Sequence, residues 1–284
     1  MDISYMRFAN STLEPVWNRE HISHVQVTIA ENFGVEDRGH FYDSVGAMRD
    51  VIQNHALQVL GLIGMEPPSN NDPDSIRDQK LVFFKAMRAA DPAHYVRGQY
   101  DGYLEVKDVD PKSTTETFAA MKLEVDNWRW SGVPFFIRAG KCMPAKSSEV
   151  TVVFKRPPEL GIGHGKTPEP NKMTIRIEPE PGSRMRLYAK KAGEEAFEPA
   201  DLEVLFEREP GADPEPYERL LGDAIAGVHT LFTRQETIEE TWRVVQPLLD
   251  DPPPVIPYAP GTWGPKEAEE LTRGIAHWSE PWLP

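Results

Sequence analysis

Apolar and polar residues alternate from 24 to 30: Val25, Val27 and Ile29 face one way and Gln26 and Thr28 the other, the two-residue period of a half-buried strand. The period changes over 43–65, where Val45, Met48, Ile52, Val59 and Leu62 recur at helical spacing with His55 on the same stripe. Asp43 is placed to cap that helix. PPSNNDPDS follows as a loop, and Ser75 is placed to cap a second helix reaching residue 90. Strands are predicted at 114–125, 133–138, 149–155, 173–178 and 184–189, with few helices between them. That succession favours antiparallel pairing over helical crossovers. Helices over 215–226, 235–249 and 265–276 close the chain, and the prolines of DDPPPVIP (250–257) end the second, because proline removes a donor and clashes with the preceding turn. The expected fold is α+β: a large, mainly antiparallel sheet with helices packed on one face. A single domain over 1–284 is expected, with 1–22 as an entry segment and 250–284 as the C-terminal helix and tail.

Composition narrows the function classes. A chain of 284 residues can bury a substantial core, and its 27 prolines lie between elements as punctuation. The net charge of −14 argues against nucleic acid, whose phosphates need basic surface, but leaves room for a local cationic pocket. Cys142, the single cysteine, excludes an internal disulfide and fits a reducing, cytoplasmic setting. No apolar run approaches the ~20 residues of a membrane span, so no membrane role is expected.

Several motifs carry less chemistry than they suggest. GIGHGKT (161–167) has three residues between Gly161 and Gly165 where a phosphate-binding loop has four, and Pro168 and Pro170 prevent a helix from following. His21 and His24 could bring two imidazoles together, but no cysteine or acidic cluster follows at metal spacing, so no metal is expected. Lys141 could lower the pKa of Cys142, yet no resolving thiol exists. Trp128, Trp130, Trp242, Trp263 and Trp278 read as packing residues between strands and helices.

On local pattern, a histidine such as His55 on an apolar stripe is a satisfied core residue. Its flanks point elsewhere. RDVIQNHALQ, preceded by RGHFYD, closely resembles the active-site helix of the glucose-6-phosphate dehydrogenase family, whose QNH histidine is the base. RFANSTLEPVWNREHISHVQVTIAENFGVEDRG (7–39), VRGQYDGY (96–103), WSGVPFFIRAGKCM (130–143), PYERLLGDAIAGVHTLFTR (216–234), ETWRVVQPLL (240–249) and PYAPGTWGPKEAEEL (257–271) resemble further segments of that family, in the same order. The resemblance implies oxidation of glucose 6-phosphate at C1 with NADP, in the pentose phosphate pathway, by a homodimer formed through the sheet.

It also implies roles. His55 would be the base, Glu31 and Asp50 would accept hydrogen bonds from sugar hydroxyls, and Lys141 would reach the substrate. Lys146 stands where many members have arginine; it keeps the charge and loses the bidentate fork. Asp50 lies five residues before His55, about 140° away on an α-helix, so it is not expected to orient the imidazole. Arg138 and Arg176 match part of a second, structural NADP site of some relatives, but Ser147 and Trp263 stand where that site wants basic residues. Glu178 puts a carboxylate beside the expected phosphosugar.

Members of the family carry a nucleotide-binding half first, ending in a RIDHYLGKE motif. This chain opens with MDISYM where that motif would have finished, and no GxGxxG follows an early strand. The expectation is therefore a C-terminal domain, with the cofactor site, the aspartate that orients the base and the lysine–histidine phosphate grip supplied by another polypeptide or a parent chain. The competing expectation is a non-catalytic dimerising module that pairs with the full-length enzyme, favoured by Glu178 and by Val228 in place of a common aspartate.

Overall fold

The computed structural model describes residues 3–70, 72–159, 167–206, 216–228 and 232–284. GIGHGKT falls almost wholly outside them, as does the first residue of the 215–226 helix. Among the described residues, nine strands form one sheet: β1 (Ile22–Ala30), β2 (Tyr95–Tyr100), β3 (Phe118–Leu123), β4 (Phe135–Gly140), β5 (Ser147–Phe154), β6 (Lys172–Glu178), β7 (Gly182–Lys190), β8 (Phe197–Leu205) and β9 (Val255–Tyr258). Their order is β8-β7-β6-β5-β1-β4-β3-β2-β9. Neighbours run antiparallel except β1 with β4 and β2 with β9.

Helices α1 (Ile3–Phe8), α2 (Gly39–Ala47), α3 (Leu57–Gly64), α4 (Pro73–Ala86), α5 (Pro216–Ala226) and α6 (Gln235–Asp250) accompany the sheet, with a π-helix at Met48–Ala56. One sheet face presents Val25, Val27, Met121, Phe135, Ile137, Val150 and Ile175, which pack with Ile52, Leu57, Leu60, Phe84, Val244 and Leu248 of the helices in one buried core. The opposite face is closed by a second cluster, in which Phe118, Ala120 and Phe136 meet Tyr258, Ala268, Leu271 and Trp278.

Local structure departs from expectation in definite ways. The 43–65 helix is three pieces, broken at Gly46, whose φ of 67° suits glycine alone. Asp43 lies inside α2 and is not its cap; its carboxylate accepts hydrogen bonds from Tyr103 Oη at 2.8 Å and the Asp110 N–H at 3.3 Å, and from the Ser113 hydroxyl. The cap of α4 is Asp72, which accepts the Asp74 N–H at 3.0 Å, while the Ser75 hydroxyl accepts the Ser69 N–H at 2.9 Å. The last helix is a 3₁₀ segment over Lys266–Thr272. β2, β8 and β9 were not expected. β9 is an edge strand, where a proline such as Pro257 is tolerated. Trp128 does not pack: it is 93% exposed.

Candidate active site

The parallel pairing of β1 and β4 brings two strand ends together. Ala30 is in register with Gly140, so Glu31 and Lys141 leave the sheet side by side. The Glu31 N–H donates to Gly140 O at 3.0 Å, and the Met143 N–H returns to Glu31 O at 2.9 Å. The Lys141 ammonium forms an ion pair with the Glu31 carboxylate. Lys141 itself is buried, at 2% exposure. Its Nζ lies 5.3 Å from the Phe33 ring centre and 5.0 Å from that of Tyr42, within cation–π range. Its backbone is fixed too: the N–H donates to Thr117 O at 3.0 Å, and the carbonyl accepts from Tyr258 Oη at 2.7 Å.

The π-helix packs on the same two strands, β1 and β4. Its hydrogen bonds run five residues back, as from the Leu57 N–H to Ile52 O. Residues five apart are then neighbours one turn removed, which corrects the 140° separation reckoned for an α-helix. Asp50 and His55 therefore share a face of this segment. The wider turn also lifts His55 off the apolar stripe: Met48, Ile52, Gln53 and Ala56 are buried, and His55 is exposed. Exposure excludes the core-histidine reading.

Tyr42 links the two halves. It is buried, and burial together with the charges of Glu116, Asp50 and Glu31 pushes its phenol well above the usual range. Its hydroxyl has no hydrogen-bond partner among the described residues. Tyr42 and Phe33 escaped sequence reading because aromatic residues beside a helix read as packing.

Lys146 stands apart from the Lys141–Glu31 pair. Its Nζ is 2.9 Å from Glu178, both side chains being half-exposed, so the carboxylate that looked unfavourable is neutralised locally. Arg138 and Arg176 lie on the opposite sheet face. Arg138 donates to Ser279 O at 2.9 Å and is sandwiched 4.8 Å from the rings of both Trp263 and Trp278. Arg176 donates to Trp282 O at 2.9 Å and stacks 4.1 Å from the Trp282 ring. The C-terminal tail thus engages both. His21 is exposed and His24 buried, so they do not converge. Burial raises the pKa of the Cys142 thiol, overriding the Lys141 charge. Among the described residues no cluster of three or more His, Cys, Asp or Glu is placed to hold a metal, and no helix is long and apolar enough to cross a membrane.

The family model for the C-terminal domain of glucose-6-phosphate dehydrogenase matches residues 4–279. Glucose-6-phosphate 1-dehydrogenase 1 of Mycobacterium tuberculosis (strain H37Rv) is 48% identical over 285 residues, covering 100% of this chain and 61% of that protein. The Treponema pallidum glucose-6-phosphate 1-dehydrogenase is 39% identical, covering 99% of this chain and 59% of that protein. The crystal structure of the Mycobacterium avium glucose-6-phosphate 1-dehydrogenase superposes with a TM-score of 0.93 at 47% identity, over all of this chain and 62% of that one. A glucose-6-phosphate dehydrogenase in complex with its substrate glucose-6-phosphate gives 0.86 at 36% identity, over 98% of this chain and 60% of that one. The chain spans about three-fifths of the length of these relatives. It belongs to the glucose-6-phosphate dehydrogenase family, as a C-terminal domain of that family.

Proposed function

We propose that this chain supplies the sugar-phosphate side of a glucose-6-phosphate dehydrogenase, which oxidises D-glucose 6-phosphate at C1 to the 6-phosphogluconolactone with NADP, in the cytoplasm and within the pentose phosphate pathway. The observation that carries the reading is the set of four groups: a Lys141–Glu31 ion pair with a buried lysine at the ends of β1 and β4, and a π-helix packed on those strands that carries Asp50 and an exposed His55. Lysine has three donors; Glu31 takes one, leaving the others for a phosphosugar. At 2% exposure the ammonium is weakly screened, which strengthens its pull on an anion. Glu31 and Asp50 accept from sugar hydroxyls, and His55 takes the proton from the C1 hydroxyl, work that suits an imidazole near neutral pH. Lys146 lies farther out and contributes charge.

NADP is implied by the family, but the described residues do not form a cradle for it. No glycine-rich turn precedes a helix N-terminus among them, and the start of α4 is occupied by the carboxylate of Asp72. No hydride step is assigned to these residues; the cofactor belongs with a nucleotide-binding half, in a longer parent chain or a separate polypeptide. A homodimer through the sheet is supported by Leu187, Leu202 and Val204, which form an exposed apolar strip on β7 and β8. A non-catalytic pairing module is the weaker reading, since Glu178 is neutralised by Lys146.

An NMR titration with glucose 6-phosphate tests the proposal. Saturable shifts at 33, 42, 50, 55 and 141, absent with glucose and moved to at least tenfold higher ligand concentration in Lys141→Met, are expected. No response of the wild-type chain at tens of millimolar would contradict it.

A further inference from the structure

We infer that Glu116 is a positioning residue that sets the start of the π-helix, and with it the placement of Asp50 and His55 against Lys141. Glu116 is 4% exposed and precedes β3, far in sequence from the elements it holds. Its Oε1 accepts the N–H of Met48, the first π-helical residue, at 3.0 Å, and its carbonyl accepts the Ala47 N–H at 2.9 Å. A helix N-terminus leaves such N–H groups without partners, so this side chain acts as a cap brought in from another element. Gly46 makes room for it: a Cβ there would lie 2.6 Å from Glu116 Oε1. Oε2 is held in turn by Arg97 Nη2 at 3.0 Å, and Arg97 also donates to Pro253 O at 3.0 Å and Thr114 O at 2.7 Å.

The neighbouring residue completes the arrangement. Thr117 O accepts the Lys141 N–H at 3.0 Å, and its Oγ1 lies 3.1 Å from Tyr258 Oη, which donates to Lys141 O. Two consecutive residues therefore tie the π-helix and the lysine loop to one strand. Two discrete facts single out Glu116 from ordinary core polarity: its cap falls where α-helical hydrogen bonding gives way to π-helical, and the break before it needs a glycine with positive φ.

The experiment is amide hydrogen exchange on the full chain, comparing Glu116→Leu with Arg97→Met. Both lose the ion pair, but Arg97→Met leaves the Met48 cap in place. The expected result is exchange at least tenfold faster across 48–56 in Glu116→Leu, with the β3 and β4 amides unchanged, and no such local loss in Arg97→Met. Should Glu116→Leu fail to fold, Glu116→Asp, one methylene too short to reach Met48, is read the same way. Unchanged protection over 48–56, or equal loss in Arg97→Met, would overturn the inference. The consequence for the ligand rests on the proposed function: the dissociation constant for glucose 6-phosphate should rise at least fivefold in Glu116→Leu and less than twofold in Arg97→Met. Absence of binding by the wild-type chain would sink the proposed function alone, leaving the exchange result to decide this one.

Discussion

Lys141 and Glu31 stand opposite one another one residue beyond the last register pair of β1 and β4, 110 residues apart in sequence, and the buried Lys141 ammonium forms an ion pair with the part-exposed Glu31 carboxylate. The register makes the pair unavoidable once the two strands align in parallel. It also places the charges at the carboxyl ends of neighbouring parallel strands, where α/β sheets commonly bind ligands.

Lys141→Met should separate stability from binding. The Glu31 side chain keeps 27% exposure and can rehydrate, and methionine fits between Phe33 and Tyr42, so the fold should survive with a small change in melting temperature. Loss of a charge-assisted hydrogen bond to the ligand should weaken binding by about 1.5–3 kcal/mol, roughly 10- to 150-fold. Thermal melts and ligand titration of the same variant check both.

His55→Ala should be silent in the fold. An exposed side chain on the π-helix has little packing to lose, so denaturant unfolding should shift by no more than about 0.5 kcal/mol. A loss of more than about 2 kcal/mol would restore His55 to the core.

His24 should make the chain acid-sensitive. Burial, aided by the Lys172 charge, lowers its pKa to about 4. Gln26 Nε2 lies 3.2 Å from His24 Nε2, which accepts from the amide and so carries no proton; the same amide donates to His277 O at 2.8 Å and accepts the Ser279 N–H at 2.7 Å. The unfolded imidazole binds its proton near pH 6.5, the folded one near 4, so stability is complete above 6.5 and falls by up to about 3 kcal/mol as pH drops through that window. His24→Gln should flatten this part of the melting-temperature profile.

Lys80 should act in the opposite range. Burial lowers its pKa to about 8, and its Nζ donates to the neutral Gln58 Oε1 at 2.6 Å. Between pH 8 and 10.5 the unfolded chain holds the proton that the folded one has released, so stability rises with pH there by up to about 3 kcal/mol. Lys80→Met should melt higher than wild type at pH 7, with the gap closing above pH 8.

Much of this was legible beforehand, for reasons visible in particular residues. Strand β1 alternates because one face meets helices and the other the tail, and the family motifs singled out Glu31 and Lys141, which the strand register brings together as an ion pair. What escaped reading depends on contacts distant in sequence or on a changed helical pitch. β8, FEPADLEVL, is mostly exposed on both faces, and its apolar alternation is confined to Ala200, Leu202 and Val204 behind a proline at 199. A single π-helical stretch moved His55 out of the stripe that α-helical spacing had assigned. Glu116 matters through an N–H 68 residues away, which no local pattern encodes.

The most direct test is cofactor reduction from glucose 6-phosphate and NADP, by this chain mixed with a nucleotide-binding half of the family. Activity in the mixture that falls by about 10²–10⁴-fold in His55→Ala is the expected result. Formation of the complex with no activity, or with activity unchanged by His55→Ala, would contradict the catalytic assignment.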